Sequence, residues 1–334
     1  MSYFVPVIGL TGVLGSGKTT ILNRVLRRRG ARIGVIVNDF GAVNIDAGLV
    51  TGHVDEVAAI TGGCICCLPD TSGLDDALTA LARPELRLDV IIVEASGVAD
   101  PLSLAHLLRY SGAEYARFGG IVEVIDSTNI ETGGGEWTQR LNAASLVVVN
   151  KLDMQTARTS KASLATVRRA AESSPSRPTV VGARHGNLDP RLLFDIAQES
   201  PAPNELDFSA LYSHEHHEHV ETSSAWVGAP HPVDAGHLLD FLESPPPHAY
   251  RIKGRVAIRT PRGARRYVIN TVGRSIHVVA DTLPPPALPG LVCIGPCLNV
   301  DRAENRLAVA LSPAEETAAA PQMRRLRRHL RLSR

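Results

Sequence analysis

The segment Gly12–Thr19 has the residue types and the spacing of a phosphate-binding loop. It reads GVLGSGKT and fits G-x-x-x-x-G-K-[ST] at every fixed position. Glycines allow backbone N–H groups to surround phosphate oxygens, and the amino end of the following helix adds partial positive charge. In such a loop Lys18 reaches the β- and γ-phosphates, and the Thr19 hydroxyl binds Mg²⁺. The predicted nucleotide contacts here are Gly12, Gly15, Ser16, Gly17, Lys18, Thr19 and Thr20.

A second motif, Asn150–Asp153, reads NKLD and fits the N-K-x-D pattern by which GTPases select guanine. An aspartate accepts hydrogen bonds from the N1–H and the exocyclic amine of guanine, which adenine cannot offer. The tetrapeptide follows an apolar run in a chain that already carries a phosphate loop. We therefore predict GTP as the nucleotide, with base contacts from Asn150, Lys151 and Asp153 and from the backbone of Ala183.

Acidic residues at strand ends are candidates for holding Mg²⁺ or for orienting the attacking water. Glu94 follows the apolar run Val90–Val93, and Gly97 is placed to sense the γ-phosphate. Asp39, after the run Ile33–Val37, is a further candidate, as is Asp46, although a helix cap or a turn would also explain each carboxylate. The predicted catalytic residues are Lys18, Asp39 and Glu94, and the predicted magnesium ligands are Thr19 and Glu94.

Three cysteines in four residues, Cys64, Cys66 and Cys67, follow two glycines. Such a compact group of thiols is typical of a soft-metal site and suits Zn²⁺ or Cu⁺, and Co²⁺ is a further candidate. The motif does not choose among metals. A redox-active pair and simple packing remain the alternatives.

Other potential metal ligands lie further along the chain. A polar stretch carries four imidazoles, which are either accessory metal ligands or part of a polar linker: His214, His216, His217 and His219. Cys293 and Cys297 flank a predicted strand end, where core packing is expected for Cys293 and a second metal or redox role for the pair is the alternative. His106 is expected on a helix surface.

Composition limits the classes of function. Lys and Arg number 35 against 34 Asp and Glu, so the net charge is +1 and gives no indication of a nucleic-acid or membrane partner. Five cysteines, three of them clustered, argue against a disulfide framework. The first residues lack a basic region followed by an apolar region, and no apolar run approaches the ~20 residues of a membrane span. We expect a cytoplasmic protein.

The elements that position these residues follow from short apolar runs that alternate with helix-like stretches. Strands are predicted at Val5–Leu10, Ile33–Val37, Val90–Val93, Gly120–Ile125, Leu146–Val149 and Thr179–Val181, and helices near Thr19–Arg29, Leu74–Ala82, Leu102–Leu108, Thr138–Asn142 and Lys161–Ala171. This alternation predicts an α/β fold, a P-loop NTPase with a mostly parallel sheet covered on both faces.

The pattern changes after about residue 200, and at roughly 150 residues per domain a chain of 334 residues suggests two domains. The predicted organisation is a P-loop GTPase domain at 1–200, a His-rich flexible linker at 201–222, an α+β domain at 223–312 and a disordered basic tail at 313–334. The arginines of this tail are expected to be solvated, and a weak contact with acidic partners is the alternative. Strands of the smaller domain are predicted at Ser223–Val227, Tyr250–Ile258, Arg266–Val272, Ser275–Val279 and Leu291–Ile294, and helices at Ala235–Leu242 and Ala303–Leu311.

Together these motifs resemble the CobW-like family of metallochaperone GTPases, with its cobalamin-synthesis and zinc-homeostasis members. The resemblance runs from Gly9 to Asp153 and continues more loosely into a similar carboxy-terminal domain. It implies that Cys64, Cys66 and Cys67 bind a transition metal, most simply zinc, with an affinity controlled by the bound nucleotide, and that the metal passes to a client metalloprotein. The family usually has glutamate where this chain has Asp39, whose carboxylate is one methylene shorter.

We hypothesise a two-state switch in which GTP and Mg²⁺ order the segment from Asp39 to Cys67 and hydrolysis releases the metal. No arginine finger is evident, so a client or a homodimer partner is expected to stimulate hydrolysis. Two main alternatives stay open: a P-loop kinase acting on a small molecule, and a metal-buffering or redox protein with a vestigial GTPase. A translational GTPase is a weaker third, since it would not need the cysteines.

Overall fold

The computed structural model describes residues 4–27, 31–38, 56–60, 72–130, 136–194, 222–282 and 289–332. The chain divides into two compact units, residues 3–220 and residues 221–334. Within the described ranges, no helix is both long and apolar enough to cross a membrane.

The amino-terminal unit is built on a parallel sheet of seven described strands in the order β3-β2-β4-β1-β5-β6-β7. The strands are β1 Val5–Thr11, β2 Ile33–Asn38, β3 Glu56–Ile60, β4 Val90–Glu94, β5 Ala116–Asp126, β6 Leu146–Asn150 and β7 Thr179–Gly182. The predicted fold class and six of these strands are confirmed. The edge strand β3 was not predicted.

Continuous apolar runs form these strands because helices cover both faces of a parallel sheet, so residues pointing either way are buried. All seven residues of β1 and all five of β4 and of β6 are buried. The helices of this unit are α1 Lys18–Leu26, α2 Ser72–Leu81, α3 Pro101–Arg109, α4 Glu136–Arg140 and α5 Ala157–Ser173.

Local capping fixes where the helices start. The Asp100 side chain accepts hydrogen bonds from the backbone N–H groups of Leu102 and Ser103, and Pro101 fills the first turn of α3. Thr156 caps α5 in the same way, through the N–H of Thr159. Because α3 follows β4 and α5 follows β6 in the chain, both helix amino ends lie towards the edge of the sheet where these strands end.

Strand order locates the site. β1 lies between β4 and β5, and the chain leaves β1 towards β2 on one side and reaches β5 on the other. In open parallel sheets, ligands bind beyond the carboxyl ends of the strands at such a reversal of strand order. The segment that follows β1 at this point is the predicted phosphate loop.

The carboxy-terminal unit holds an antiparallel sheet of five described strands in the order β11-β10-β9-β12-β8. Its strands are β8 Thr222–Gly228, β9 Arg251–Thr260, β10 Gly263–Val272, β11 Ser275–Ala280 and β12 Gly290–Pro296, and its helices are α6 Ala235–Glu243, α7 Val300–Ala310 and α8 Ala320–Leu332. Helix residues Leu238, Leu307 and Leu326 pack with sheet residues Ile258 and Ile269 in one core. The predicted strands and the first two helices of this unit are confirmed.

One sequence-based expectation was wrong. The basic end of the chain was expected to be a solvated tail, but α8 is a helix of thirteen residues on this core. The Leu326 side chain is fully buried, and Met323 and Leu330 pack beside it. The high arginine content hid the apolar spacing 323–326–330, which is the helical i, i+3, i+7 pattern.

Candidate nucleotide site

The loop from Gly12 to Gly17 has the backbone conformation of a phosphate cradle. Gly12, Gly15 and Gly17 have φ values of 147°, 78° and 98°, which residues with a side chain rarely adopt. A Cβ at Gly12 would lie 2.5 Å from the Val124 carbonyl oxygen, and one at Gly17 would collide with the Asn150 amide. The loop therefore requires glycine at these positions, both for conformation and for space.

Lys18 begins α1 immediately after this loop. Its Nζ donates to the Gly12 carbonyl oxygen at 2.8 Å and to that of Val13 at 3.4 Å, and the residue is 8% exposed. The ammonium group is thus held inside the curve of the loop. The Ser16 hydroxyl is also buried there and has no hydrogen-bond partner within the described part of the chain. A phosphate oxygen would satisfy both groups, so the cradle fits a nucleotide.

Thr19 and Glu94 come together across two elements. The Thr19 hydroxyl, in the first turn of α1, donates to Glu94 Oε1 at 2.7 Å. Glu94 ends β4 and is 5% exposed, and the following residue, Ala95, bonds through its N–H to the Leu10 carbonyl oxygen. A hydroxyl and a carboxylate oxygen at this separation are the hard oxygen donors that Mg²⁺ prefers.

Gly97 lies against the phosphate loop. A Cβ there would be 2.6 Å from the Leu14 backbone nitrogen and 2.9 Å from its Cα. The Leu14 side chain itself is 89% exposed. Any larger residue at 97 would push the loop after β4 away from the phosphate loop, so Gly97 keeps the two loops in contact.

Asn150 connects the NKLD motif, to which it belongs, with the phosphate loop. Its Nδ2 donates to the Ser16 carbonyl oxygen at 3.0 Å, and its Oδ1 accepts from the Gly186 N–H at 3.1 Å. The side chain is buried. Asn150 therefore holds the phosphate loop and the loop after β7 together, and both of its amide groups are engaged within the protein.

Asp153 and Lys151 occupy the remaining positions of the NKLD motif. Asp153 Oδ1 accepts from the His185 N–H at 2.6 Å, and Oδ2 lies 3.2 Å from the His185 Nδ1. Lys151 has φ 60° and pairs with Asp126 Oδ2 at 2.7 Å. Burial alone would raise the pKa of Asp126, but hydrogen bonds from Lys151 and Thr128 outweigh it, so its pKa lies below the ordinary value.

Two further predicted nucleotide contacts, Ala183 and Thr20, lie near these residues. The Ala183 N–H donates to the Val149 carbonyl oxygen at 2.8 Å and its carbonyl accepts from Leu152, so both backbone groups bond within the protein. Thr20 is exposed and lies beside Gly186. The nucleotide-binding roles of Ala183 and Thr20 stay predictions.

Sequence reasoning missed a buried ion pair behind the phosphate loop. Glu123 in β5 is 1% exposed; it accepts from the Thr11 hydroxyl at 2.5 Å and from Arg140 Nε at 2.5 Å. Arg140 also donates to the Ala99 carbonyl oxygen at 3.1 Å, which ties the network to the start of α3. Burial raises the pKa of Glu123 despite these partners. The signal in the sequence was a lone glutamate within an apolar strand, GGIVEVID.

The other partners that sequence reasoning missed are Asp126, His185 and Gly186. Asp126 had a readable signal, since it is an acidic residue at the end of a predicted strand. His185 and Gly186 follow Ala183, the predicted backbone contact for the base, so this loop was expected near the NKLD motif, but nothing in the local sequence indicates their own bonds to Asp153 and Asn150.

Several predicted site residues lie outside the described residues: Asp39, Asp46, Cys64, Cys66, Cys67, His214, His216, His217 and His219. Among the described residues, no group of three or more His, Cys, Asp or Glu side chains is arranged to hold a metal ion. Cys293 is buried in the carboxy-terminal core, where burial raises the pKa of its thiol to about 12, whereas Cys297 is exposed. His106 lies on the surface of α3 against the Tyr110 ring, as predicted.

The fold and the phosphate loop define a P-loop nucleotide-binding protein of the α/β class. The chain belongs to the family described as "CobW/HypB/UreG, nucleotide-binding domain", which matches residues 6–178. Residues 222–311 match a second description, "Cobalamin synthesis protein cobW C-terminal domain". The predicted family resemblance is confirmed.

Curated relatives carry related names. A "Zinc chaperone CobW" from Sinorhizobium sp is 28% identical over 317 residues, covering 83% of this chain and 88% of the relative. "Zinc chaperone YjiA" from Escherichia coli is 26% identical over 257 residues, covering 72% of this chain and 76% of the relative. A "Zinc-regulated GTPase metalloprotein activator 1" from Dictyostelium discoideum is 37% identical over 142 residues, which cover 36% of this chain and 30% of the relative.

Solved structures similar to this chain include the Zn(II)-bound YjiA GTPase from E. coli, with a TM-score of 0.42 and 20% identity over 91% of this chain and 98% of that one. HypB from Helicobacter pylori in complex with nickel has a TM-score of 0.44 and 18% identity, over 55% of this chain and 80% of that one.

Proposed function

We propose that this protein is a GTP-hydrolysing metallochaperone that binds a transition metal, most simply Zn²⁺, and delivers it to a client metalloprotein. The observation that carries the proposal is the meeting of two motifs at one edge of the sheet. Asn150 of the guanine motif bonds to the Ser16 carbonyl oxygen of the phosphate loop. The proposed phosphate-binding and base-selecting residues thus belong to one site.

The residues around this site suggest how each part of GTP is held. Lys18 and the loop N–H groups bind phosphate oxygens, and Asp153 accepts hydrogen bonds from the guanine edge. Thr19 and Glu94 are the proposed holders of Mg²⁺, which when bound supplies charge neutralisation at the β- and γ-phosphates. Gly97, in contact with Leu14, is the proposed sensor of the γ-phosphate because it abuts the loop that holds it.

The metal is cargo, and Cys64, Cys66 and Cys67 are its proposed ligands. Three thiolates in four residues suit Zn²⁺, and Co²⁺ is a usable substitute. The names of the relatives, which describe zinc chaperones and a zinc-regulated GTPase metalloprotein activator, support zinc as the first candidate. The cysteine motif lies in the chain between β3 and α2, and therefore between the phosphate loop and Glu94.

The position of the cysteine motif in the chain suggests how the bound nucleotide controls metal affinity. The strand that precedes the cysteines in the chain and the strand that ends at Glu94 both flank β2, so the cysteine motif follows a strand of the same sheet that carries Glu94. We propose that GTP tightens metal binding and that hydrolysis weakens it. An arginine finger is not evident in the sequence, so the client or a second copy of the chain is the proposed activator of hydrolysis.

A metal titration with different nucleotides tests the proposal. Reduced protein is titrated with Zn²⁺ and with Co²⁺ in the presence of a non-hydrolysable GTP analogue or of GDP. The cobalt–thiolate charge-transfer band reports cysteine ligation directly. Tighter binding with the GTP analogue, and loss of the band in Cys66→Ala, are expected. Cys297→Ala, which removes an exposed thiol elsewhere, is the matched control and should keep the band.

Other results would identify the alternatives. Equal metal affinity with the analogue and with GDP would overturn the nucleotide-gated mechanism and leave a metal buffer or a redox site. A Lys18→Ala variant that still delivered metal would also favour a metal-binding protein whose GTPase is vestigial. A preference for ATP over GTP would instead favour the small-molecule kinase.

A further inference from the structure

Helix α8 lies beyond both segments that match the family, since the second match ends at residue 311. One side of α8 is fixed to the carboxy-terminal unit by apolar packing around Leu326. A neighbouring side is fixed by charge: Arg325 Nη2 donates to Asp240 Oδ1 and to Glu243 Oε2, each at 2.8 Å. His329 Nε2 lies 3.1 Å from Glu243 Oε1. The orientation of α8 about its axis is therefore defined.

The opposite side of α8 carries what we name the arginine stripe. Its members are Arg324, Arg327, Arg328 and Arg331, all exposed. Their spacing of i, i+3, i+4 and i+7 places them in one row, about 10 Å long at a rise of 1.5 Å per residue. Within the described part of the chain none of the four forms an ion pair, whereas Arg325 of the same helix does.

Charge is distributed unevenly between the two parts of the chain. Residues 222–334 contain sixteen Lys and Arg against eight Asp and Glu, whereas residues 1–221 contain nineteen against twenty-six. The near-zero total charge hides this asymmetry. The arginine stripe therefore stands on a unit that is itself basic, which strengthens the local positive potential.

We propose that the arginine stripe is a docking surface for an acidic segment of a partner protein, with carboxylates at helical spacing. Guanidinium groups pair with carboxylates through two parallel hydrogen bonds, and all four cations of the stripe are arginine. A facing acidic helix with Asp or Glu at i, i+3, i+4 and i+7 matches the row. This surface is additional to the nucleotide and metal functions and does not depend on them.

Two other anionic partners fit the surface less well. A protein that relies on the nucleic-acid backbone gains affinity from each phosphate it neutralises, and four arginines on a 10 Å row neutralise few of them. A membrane-surface helix inserts its apolar face, but Leu326 and its neighbours are already committed to the core.

The test uses the full-length protein and a labelled peptide with Glu at i, i+3, i+4 and i+7, followed by fluorescence anisotropy at low and at physiological salt. The stripe variant replaces its four arginines by Gln. The matched control replaces four exposed cations on α5 by Gln: Arg158, Lys161, Arg168 and Arg169. Circular dichroism and thermal unfolding check that both variants fold, as exposed substitutions should.

The stripe variant is expected to weaken peptide binding by about tenfold or more, since four exposed ion pairs are lost, while the control variant binds like the native protein. A stripe variant that binds the peptide as tightly as the native protein would overturn the proposal. Stronger stripe-dependent binding to duplex DNA, or to vesicles containing an anionic lipid, would also overturn it and assign the surface to that partner.

Discussion

Both carboxylate oxygens of Asp153 face His185: Oδ1 accepts from the backbone N–H at 2.6 Å, and Oδ2 lies 3.2 Å from the imidazole Nδ1. His185 has φ 51°, a left-handed conformation that turns its N–H towards the carboxylate. The loop after β7 thus fixes the direction of the carboxylate, and each oxygen keeps a further lone pair for a base.

Asp153→Asn should reverse the nucleotide preference of the protein. The amide can no longer accept from both N–H groups of guanine but can donate to the 2-oxo group of xanthine. The affinity for GDP should fall by about a hundredfold or more, and the affinity for xanthosine diphosphate should rise, as measured by calorimetry. Asp76→Asn, an exposed carboxylate on α2, is the control. Unchanged GDP affinity in Asp153→Asn would refute the assignment of Asp153 to the base.

Thr19→Val should abolish the magnesium dependence of hydrolysis. Valine keeps the shape of threonine but loses the hydroxyl that bonds Glu94 at 2.7 Å. The rate of GTP hydrolysis should drop by about a hundredfold or more, the scale seen when one electrostatic stabiliser is removed, and added Mg²⁺ should not restore it. Thr19→Ser keeps the hydroxyl and should remain active. Equal loss in both variants would indicate a packing effect.

Gly17→Ala should destabilise the amino-terminal unit. Alanine would be strained at φ 98°, and its Cβ would collide with the Asn150 amide that holds the phosphate loop. The free energy of unfolding should fall by about 1–3 kcal/mol, measured by urea titration. Gly73→Ala is the matched control because a Cβ there meets open space within α2, where alanine is neutral or stabilising. Similar stability of the two variants would contradict the geometry.

Glu123→Gln should change how stability depends on pH. Burial raises the pKa of Glu123 above its ordinary 4.5, and Arg140 and Thr11 offset this only in part. Because the pKa is higher in the folded than in the unfolded state, protonation of Glu123 increases the free energy of unfolding. This increase is complete below about pH 4.5 and is lost as the pH rises through the pKa of the folded state. Relative to Glu123→Gln, the native protein should therefore lose stability towards neutral pH in urea titrations. A difference that does not vary with pH would contradict the prediction.

Leu326→Ala should destabilise the carboxy-terminal unit by about 2–5 kcal/mol, because it removes a fully buried side chain and leaves a cavity. Thermal and denaturant unfolding measure the loss. Arg327→Ala changes an exposed neighbour on the same helix and should stay within about 0.5 kcal/mol of the native protein. Equal, negligible effects would mean that the helix does not contribute to the core.

Much of the fold followed from the sequence because its signals are local. A buried parallel strand needs a continuous apolar run, and runs such as Val90–Val93 and Leu146–Val149 could be recognised without knowing their neighbours. The glycines of the phosphate loop are equally local, since they report backbone conformation. The α/β fold, the family and the two candidate motifs were therefore predictable from the chain itself.

Tertiary structure decided which groups meet. The Asn150–Ser16 and Thr19–Glu94 hydrogen bonds join residues 134 and 75 positions apart. The sequence shows that such residues exist, but only strand order brings their side chains within bonding distance. The Glu123–Arg140 pair is another case, because its energy depends on burial that neither residue reveals alone. Helix α8 is a further case. An arginine-rich segment packs against the protein only where other elements supply an apolar surface for it, and the segment itself does not show that surface.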